Sequence, residues 1–166
     1  ITGASSGIGR ELAFVFAENK NHLLLLARHE AELSKLAAEL SLKYGVSVAY
    51  LVSDLRLKQS REDLFSYCQE HDLFVENLVN NAGFGDFNLF AESKIERQLG
   101  MIDLNISALV HLTHLFLPLM IQKGGGRMLN VASTAAFQPG PLMSVYYASK
   151  AFVLHFSEAL ANELKD

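Results

Sequence analysis

Tyr146 and Lys150 are the residues in this sequence whose types and spacing most directly suggest chemistry. They lie four positions apart, which on a helix places both side chains on one face, about one turn from each other. An ammonium beside a phenol favours the phenolate form. Such a phenol could give or take a proton at a carbonyl or alcohol oxygen. The alternative, a surface lysine near a half-buried tyrosine, stays open on this pattern alone, because the spacing is short and common.

A helix is predicted to carry this pair. Its apolar positions recur near helical spacing over about 144–164, at Val145, Ala148, Phe152, Phe156, Leu160 and Leu164. The loop before it contains Phe137 and two prolines, Pro139 and Pro141. We therefore expect Tyr146 to lie near the beginning of a helix that packs one face against the rest of the domain.

Length and composition restrict the class of protein. The 166 residues predict a single domain over 1–166, and half of them are hydrophobic, so a packed core is expected. A net charge of −4 gives no general attraction to nucleic acid or to an anionic membrane. We find no apolar run long enough for a membrane span. The single cysteine, Cys68, excludes an intrachain disulfide and favours a reducing compartment, so a cytoplasmic location is expected.

Three glycines near the beginning of the chain, Gly3, Gly7 and Gly9, are followed by an amphipathic helical pattern. Glycines at such spacing allow a tight turn, close approach of a diphosphate and close packing of the helix on its strand. The helix N-terminus then holds the phosphates. An ordinary turn between a strand and a helix remains the alternative. The spacing differs from that of an ATP-hydrolysing phosphate loop.

The residues after the first apolar strand bear on cofactor choice. The strand Leu23–Ala27 is followed by Arg28, and no acid stands at its end. An acid there suits the ribose hydroxyl of NAD, whereas an arginine suits the 2′-phosphate of NADP. We therefore favour NADP(H) over NAD(H). A solvated surface charge is the alternative role for Arg28.

Strands and helices alternate along the whole sequence, and this order predicts the fold. Alternation of this kind gives parallel crossovers with helices on both faces of one sheet. The expected fold is α/β, a Rossmann-type doubly wound parallel sheet. One long helix is predicted over about 94–123, with Asn105 in its middle.

Five short motifs follow one another along the chain in the order that is typical of one protein family. They are Thr-Gly-x-x-x-Gly-x-Gly at Thr2–Gly9, Asn-Asn-Ala-Gly at Asn80–Gly83, Asn105, Ser133 thirteen residues before Tyr146, and Tyr146-x-x-x-Lys150. With these motifs the chain resembles the short-chain dehydrogenases/reductases over essentially its whole length. The family has a strand before the glycine loop, of which only Ile1 is present here, and further strands beyond residue 166. We therefore expect this sequence to be part of a longer protein.

The resemblance implies catalytic roles for four residues. Tyr146 would be the general acid in reduction and the general base in oxidation. Lys150 would favour the phenolate form of Tyr146 and hold the nicotinamide ribose. Ser133 would hold the substrate oxygen near Tyr146, and Asn105 would bind a water that connects Lys150 to solvent. Without the resemblance, Ser133 is as readily a capping serine.

The resemblance also implies contacts to NADP(H). The diphosphate would lie on the glycine loop, at Gly3, Ser5, Ser6, Gly7, Ile8 and Gly9. Arg28 would bind the 2′-phosphate, and Asp54 and Leu55 would meet the adenine. Asn81, Ala82 and Gly83 would line the path of the adenosine ribose. A cap of the following turn is the alternative role for Asp54.

The expected activity is therefore NADP(H)-dependent interconversion of a carbonyl and an alcohol, with carbonyl reduction favoured. The alternative is a protein that senses NADP(H) without turnover. Apolar residues suggest an apolar small-molecule substrate: Phe84, Phe87, Phe137 and Leu142. In relatives, helices corresponding to 94–123 and 144–164 form subunit interfaces, so a homodimer or homotetramer is expected. No metal site is predicted, because the pair His111 and His114 lacks further ligands nearby in the sequence.

Overall fold

Every paired strand of the sheet is parallel to its neighbour. A computed structural model describes residues 1–165. The regular elements are α1 Gly7–Glu18, β1 Leu23–Ala27, α2 Glu30–Tyr44, β2 Val48–Val52, α3 Lys58–Glu70, β3 Asn77–Asn80, α4 Ile95–Ile102, α5 Leu109–Gln122, β4 Arg127–Asn130 and α6 Ser144–Glu163. Two short 3₁₀ turns cover Phe90–Glu92 and Thr134–Phe137, and a π-helical segment, Asp103–Ala108, joins α4 to α5.

The N-terminal residues connect two pairs of strands. β1 pairs with β2, and β3 pairs with β4. Between the pairs, the backbone N–H of Thr2 donates to Val79 O at 3.0 Å, and that of Ala4 donates to Leu26 O at 3.0 Å. The order across the sheet is therefore β2, β1, residues 1–4, β3, β4. The predicted parallel sheet is confirmed.

Alternate residues of β1 pack against helices on opposite faces. Leu25 lies in a core cluster with residues of α1 and α2, whereas Leu26 lies in a second cluster with residues of α3 and α5. This explains the continuous apolar run of β1, because a strand covered on both faces needs apolar side chains at every position. Burying one leucine completely, as at Leu25 and Leu112, contributes about 1.5–3 kcal/mol. The doubly wound α/β fold is confirmed.

The predicted long helix over 94–123 differs from the structure in one respect. A helical path does run from Ile95 to Gln122, but it widens into the π-helical segment around Asn105. π-helical turns inside α-helices occur frequently at functional sites. The prediction of one long helix is confirmed, and the π-helical turn is a detail that helical spacing in the sequence does not show.

The same helical path bears on the expectation about membrane spans, which stays a prediction. Its 28 residues are long and apolar enough to cross a membrane by length and composition, a run that the sequence analysis did not find. The face that carries Met101, Leu112, Phe116 and Met120 is buried inside the domain. Its apolar composition thus serves the core of this fold.

Candidate active site

A cleft of about 440 Å³ crosses the carboxyl ends of the strands, where open parallel sheets bind ligands. It gathers most of the predicted site residues: Gly3, Ser5, Ser6, Gly7, Ile8, Arg28, Asp54, Leu55, Asn81, Ala82, Gly83, Tyr146 and Lys150. Three other predicted residues, Gly9, Asn105 and Ser133, lie outside its lining. The fold thus brings together residues that are distant in the sequence.

Thr2 and Asn81 join the glycine loop to the loop after β3. Thr2 Oγ1 accepts hydrogen bonds from the backbone N–H groups of Asn81 and Ala82, both at 3.0 Å. Asn81 Nδ2 donates to Thr2 O at 2.9 Å and to Gly3 O at 3.2 Å. These bonds hold the two loops together as the floor of the cleft. Sequence reasoning did not assign Thr2 a role, although it stands inside the glycine motif.

Gly9 lies beneath the cleft and has a packing role. A Cβ atom at this position would collide with Gly3 O and with Asn81 Nδ2. Glycine is therefore required for α1 to approach the loop after β3. Gly9 lies outside the lining of the cleft while its neighbours Gly7 and Ile8 belong to it, so a contact of Gly9 with the diphosphate stays a prediction.

Arg28, Asp54 and Arg56 lie at the end of the cleft formed by β1 and β2. Asp54 Oδ1 accepts from the backbone N–H of Arg56 at 3.1 Å and from Arg56 Nε at 3.0 Å. The Arg56 side chain holds the pKa of Asp54 below its usual value, and Arg28 acts in the same direction. Asp54 therefore caps this turn and also lines the cleft, and its contact with the adenine stays a prediction.

Lys150 and Tyr146 lie at the opposite end of the cleft. Lys150 is only 6% exposed, and its Nζ lies 5.9 Å from the centroid of the Tyr146 ring. The Lys150 ammonium donates a hydrogen bond to Val131 O at 2.7 Å. Burial lowers the pKa of Lys150. The predicted pair thus lies on one helix face, and a backbone carbonyl of the segment after β4 fixes its ammonium.

The loop after β3 lies against this pair. A Cβ atom at Gly83 would lie 3.6 Å from Lys150 Nζ and 3.0 Å from Asn105 Oδ1. One at Gly85 would lie 3.2 Å from the Tyr146 ring. Small residues in this loop therefore let its backbone reach the predicted catalytic side chains.

Ser133 caps the 3₁₀ turn Thr134–Phe137. Its Oγ accepts from the backbone N–H of Ala135 at 3.1 Å, and the turn packs against α6. The capping role considered for Ser133 is therefore present. Its hydroxyl proton remains free to donate to a ligand, so its role toward the substrate oxygen stays a prediction.

The amide of Asn105 connects the loop after β3 to α6. Its Nδ2 donates to Phe84 O and to Ser149 Oγ, both at 3.0 Å, and its Oδ1 accepts from the Phe84 N–H at 3.1 Å. Ser149 Oγ donates in turn to Tyr146 O at 2.7 Å. Asn105 is 2% exposed. Its side chain thus positions the segment that carries Tyr146, and the water predicted to bind Asn105 stays a prediction. Sequence reasoning missed Ser149, because a serine within a helix carries no distinguishing signal.

Comparison with known proteins identifies the family. The model of the short chain dehydrogenase family matches residues 1–166. The chain belongs to this family. It is 37% identical over 169 residues to a very-long-chain 3-oxoacyl-CoA reductase of Laccaria bicolor, covering 99% of this chain and 49% of that protein. It is 36% identical over 170 residues to the 17-beta-hydroxysteroid dehydrogenase type 3 of Mus musculus, covering 100% of this chain and 54% of that protein.

Solved structures of short-chain dehydrogenases share the same fold. A short-chain dehydrogenase from Sphingobium yanoikuyae in complex with NADPH superimposes with a TM-score of 0.93 at 38% identity, covering 99% of this chain and 64% of that one. An L-sorbose reductase from Gluconobacter frateurii, complexed with NADPH and L-sorbose, gives 0.92 at 33% identity, covering 99% and 62%. The chain spans about half the length of the curated relatives that it matches.

Proposed function

We propose that the protein transfers hydride between NADP(H) and a carbonyl/alcohol pair, with carbonyl reduction as the favoured direction. The observation that carries this proposal is a single cleft with Tyr146 and Lys150 at one end and Arg28 at the other. Membership of the short-chain dehydrogenases supports it. So do the NADPH complexes of two similar structures.

The residues of the cleft fit NADP(H) better than NAD(H). Arg28 offers a cation at the end of β1, and the one carboxylate that lines the described cleft, Asp54, is already paired with Arg56. A 2′-phosphate placed there would meet positive charge, whereas a ribose hydroxyl would find no free acid. The glycine loop from Gly3 to Ile8 would hold the diphosphate through its backbone N–H groups and the N-terminus of α1.

Proton transfer would be the task of Tyr146. When bound, the nicotinamide supplies the hydride. The phenol of Tyr146 would give its proton to the carbonyl oxygen in reduction and take it back in oxidation. The Lys150 ammonium would favour the phenolate that remains. The Ser133 hydroxyl would donate to the same substrate oxygen, and Asn105 would keep α6 in place.

An apolar carbonyl compound is the proposed substrate. Phe87, Phe137 and Leu142 are exposed at 67%, 76% and 39%. The Asn88 N–H donates to Leu142 O at 2.9 Å and so joins the loop after β3 to the loop before α6. Phe84 lines the cleft under the guanidinium of Arg97. Two curated relatives are named for very-long-chain acyl and steroid compounds, which are apolar as well.

Replacing Phe137 by Ala tests this substrate class. We expect kcat/KM to fall for long-chain or steroid ketones and to change little for short polar ones, because about 2 kcal/mol of apolar contact is lost only with the larger ligands. Neither Phe137 nor Phe74 belongs to the residues that line the cleft. Phe74→Ala is the matched control, since Phe74 is also exposed but precedes β3, whereas Phe137 follows β4 on the side of the carboxyl ends of the strands. An equal effect of Phe137→Ala on both classes of ketone would contradict the proposal.

A self-associated state is proposed for the intact protein. Ile95, Leu99 and Phe152 are exposed on α4 and α6, and exposed apolar faces of this kind favour interfaces. Light scattering of the intact protein should give a mass of two or four chains. A monomer at micromolar concentration would contradict this.

The experiment that tests the activity combines cofactor titration with one substitution. The intact protein should bind NADPH more tightly than NADH and reduce members of a panel of ketones. Tyr146→Phe should lower kcat by about 10²–10⁴-fold and leave the Kd for NADPH nearly unchanged. Tyr147→Phe is the control and should keep its activity. NADPH binding without turnover across the panel would favour the sensing role instead.

A further inference from the structure

Asn80, the last residue of β3, has a buried oxygen without a partner. The residue is 6% exposed, and its Nδ2 donates to Asn130 Oδ1 at 3.0 Å and to Thr113 Oγ1 at 3.4 Å. Its Oδ1 has no hydrogen-bond partner in the part of the chain that the structure describes. A buried carbonyl oxygen without a donor is unfavourable, so a partner is expected.

The hydrogen-bond network determines which way this amide faces. Ser157 Oγ donates its proton to Val153 O at 2.7 Å, so it can only accept from Asn130 Nδ2, at 2.9 Å. Asn130 therefore presents its Oδ1 to Asn80, and the Asn80 atom that donates to it must be Nδ2. The free atom of Asn80 is then an acceptor, and it requires a donor.

A small cavity is lined by Asn80. Its volume is about 10 Å³, which is room for about one water molecule. Its polar lining consists of Thr2, Asn80, Asn105 and Lys150. The Thr2 hydroxyl already donates to Val79 O, and the Asn105 amide is engaged by Phe84 and Ser149. Among the side chains of the lining, the groups left to bind a water are thus Asn80 Oδ1 and the Lys150 ammonium.

Lys150 is the one charged side chain among the described residues that line both this cavity and the cleft, which also share Leu55, Ala82, Leu104 and Val131. One of the three N–H bonds of Lys150 is used by Val131 O. The residues that line the cavity from β3, the π-helical segment, α5 and the segment after β4 are amides or apolar, and Thr2 adds a hydroxyl. The titratable neighbour of Lys150 is therefore Tyr146 on its own helix.

We propose that one water in this cavity accepts a hydrogen bond from Lys150 Nζ and donates to Asn80 Oδ1, which makes Asn80 a positioning residue for the Lys150 ammonium. The water stabilises the charged form of a lysine that burial disfavours, and it gives Nζ a second hydrogen-bond partner beside Val131 O. The inference depends on the proposed function only in that Lys150 serves the reaction. Asn105 lines the same cavity, so what the proposal adds to the water expected there is Asn80 as its acceptor.

Two measurements on the intact protein without cofactor test this. A crystal structure at high resolution should show one ordered water within hydrogen-bond distance of both atoms. An NMR titration of ¹³C-labelled lysine should then show the midpoint of Lys150 rising by about one pH unit or more in Asn80→Asp, because a carboxylate near the ammonium favours its charge. The midpoint should fall in Asn80→Leu, which removes the acceptor.

Thr113→Val is the matched control. It removes a hydrogen bond to Asn80 Nδ2 but lies outside the lining of the cavity, so the Lys150 midpoint should stay at the wild-type value. Equal midpoints in Asn80→Asp, Thr113→Val and wild type would overturn the proposal, as would a wild-type structure in which another protein group reaches Asn80 Oδ1. Should the substitutions prevent folding, the wild-type structure decides. Neither measurement depends on turnover. A protein that lacks the proposed activity could therefore still pass or fail this test, and the two outcomes are distinguishable.

Discussion

The Lys150 ammonium donates to the carbonyl of Val131, which stands two residues before Ser133. One 2.7 Å hydrogen bond thus ties the helix that carries Tyr146 to the segment that carries Ser133. A shift of α6 along its axis would break this bond and leave a buried cation without its partner. The contact therefore sets the register between the two segments whose hydroxyls are proposed to meet the substrate oxygen.

Arg28 is predicted to decide cofactor preference. Arg28→Ala should weaken NADPH binding by about 10- to 100-fold and leave NADH binding nearly unchanged, because a charged hydrogen bond to the 2′-phosphate is lost. Fluorescence titration measures both Kd values. Arg127→Ala, at the exposed start of β4 and outside the cleft, is the control. If Arg28→Ala raises the Kd values for NADPH and NADH equally, Arg28 does not bind the 2′-phosphate.

Gly9 and Gly100 form a natural pair for substitution, since both lie in helices. Gly9→Ala should destabilise the fold by about 1–3 kcal/mol or more, because its Cβ collides with Gly3 O. Gly100→Ala should be neutral or stabilising by up to about 1 kcal/mol, since its Cβ would make ordinary contacts near 3.7 Å. Urea unfolding compares the two. Equal free energies of unfolding for both variants would contradict the close approach of α1.

Asn105 is predicted to contribute stability through its amide. Asn105→Asp cannot donate to Phe84 O and Ser149 Oγ and places a charge in a buried site. The free energy of unfolding should therefore fall by at least about 2 kcal/mol. Asn162→Asp on the exposed end of α6 is the control and should stay within about 0.5 kcal/mol of wild type. A small effect at Asn105 would show that the loop after β3 keeps its place without it.

Cys68 gives a prediction for alkaline pH. Burial raises the pKa of its thiol to about 11, whereas an unfolded chain has about 8.5. Between these values the unfolded state loses a proton that the folded state keeps, so stability is fully present below about pH 8.5 and falls as pH rises toward 11. The loss from this group is at most about 3 kcal/mol.

Cys68→Ala removes this contribution and isolates it. The variant should be less stable than wild type at pH 7, because a buried side chain is shortened. The difference in free energy of unfolding between wild type and variant should decrease as the pH approaches 11, since only the wild type then loses the contribution of the protonated thiol. Urea unfolding at both pH values measures this difference. A difference that stays constant would mean that the thiol titrates alike in the folded and unfolded states.

Local spacing was sufficient to predict the fold and the pair on α6. The apolar run Leu23–Ala27 predicts a strand that is covered on both faces, and the alternation of strands and helices predicts the doubly wound sheet. The four-residue step from Tyr146 to Lys150 places both side chains on one helix face, because helix geometry is the same wherever the helix packs. The glycine motif likewise predicted a loop at the carboxyl end of the sheet.

Only the tertiary structure decided the contacts that hold these parts in register. The clamp of Asn105 on Phe84, the bond from Lys150 to Val131 and the free oxygen of Asn80 each involve groups that meet across separate helices and strands. Hydrogen bonds between distant segments depend on where the packed elements finally lie. Residue type and spacing along the chain do not carry that information, which is why the π-helical turn and the cavity beside Lys150 emerge only in three dimensions.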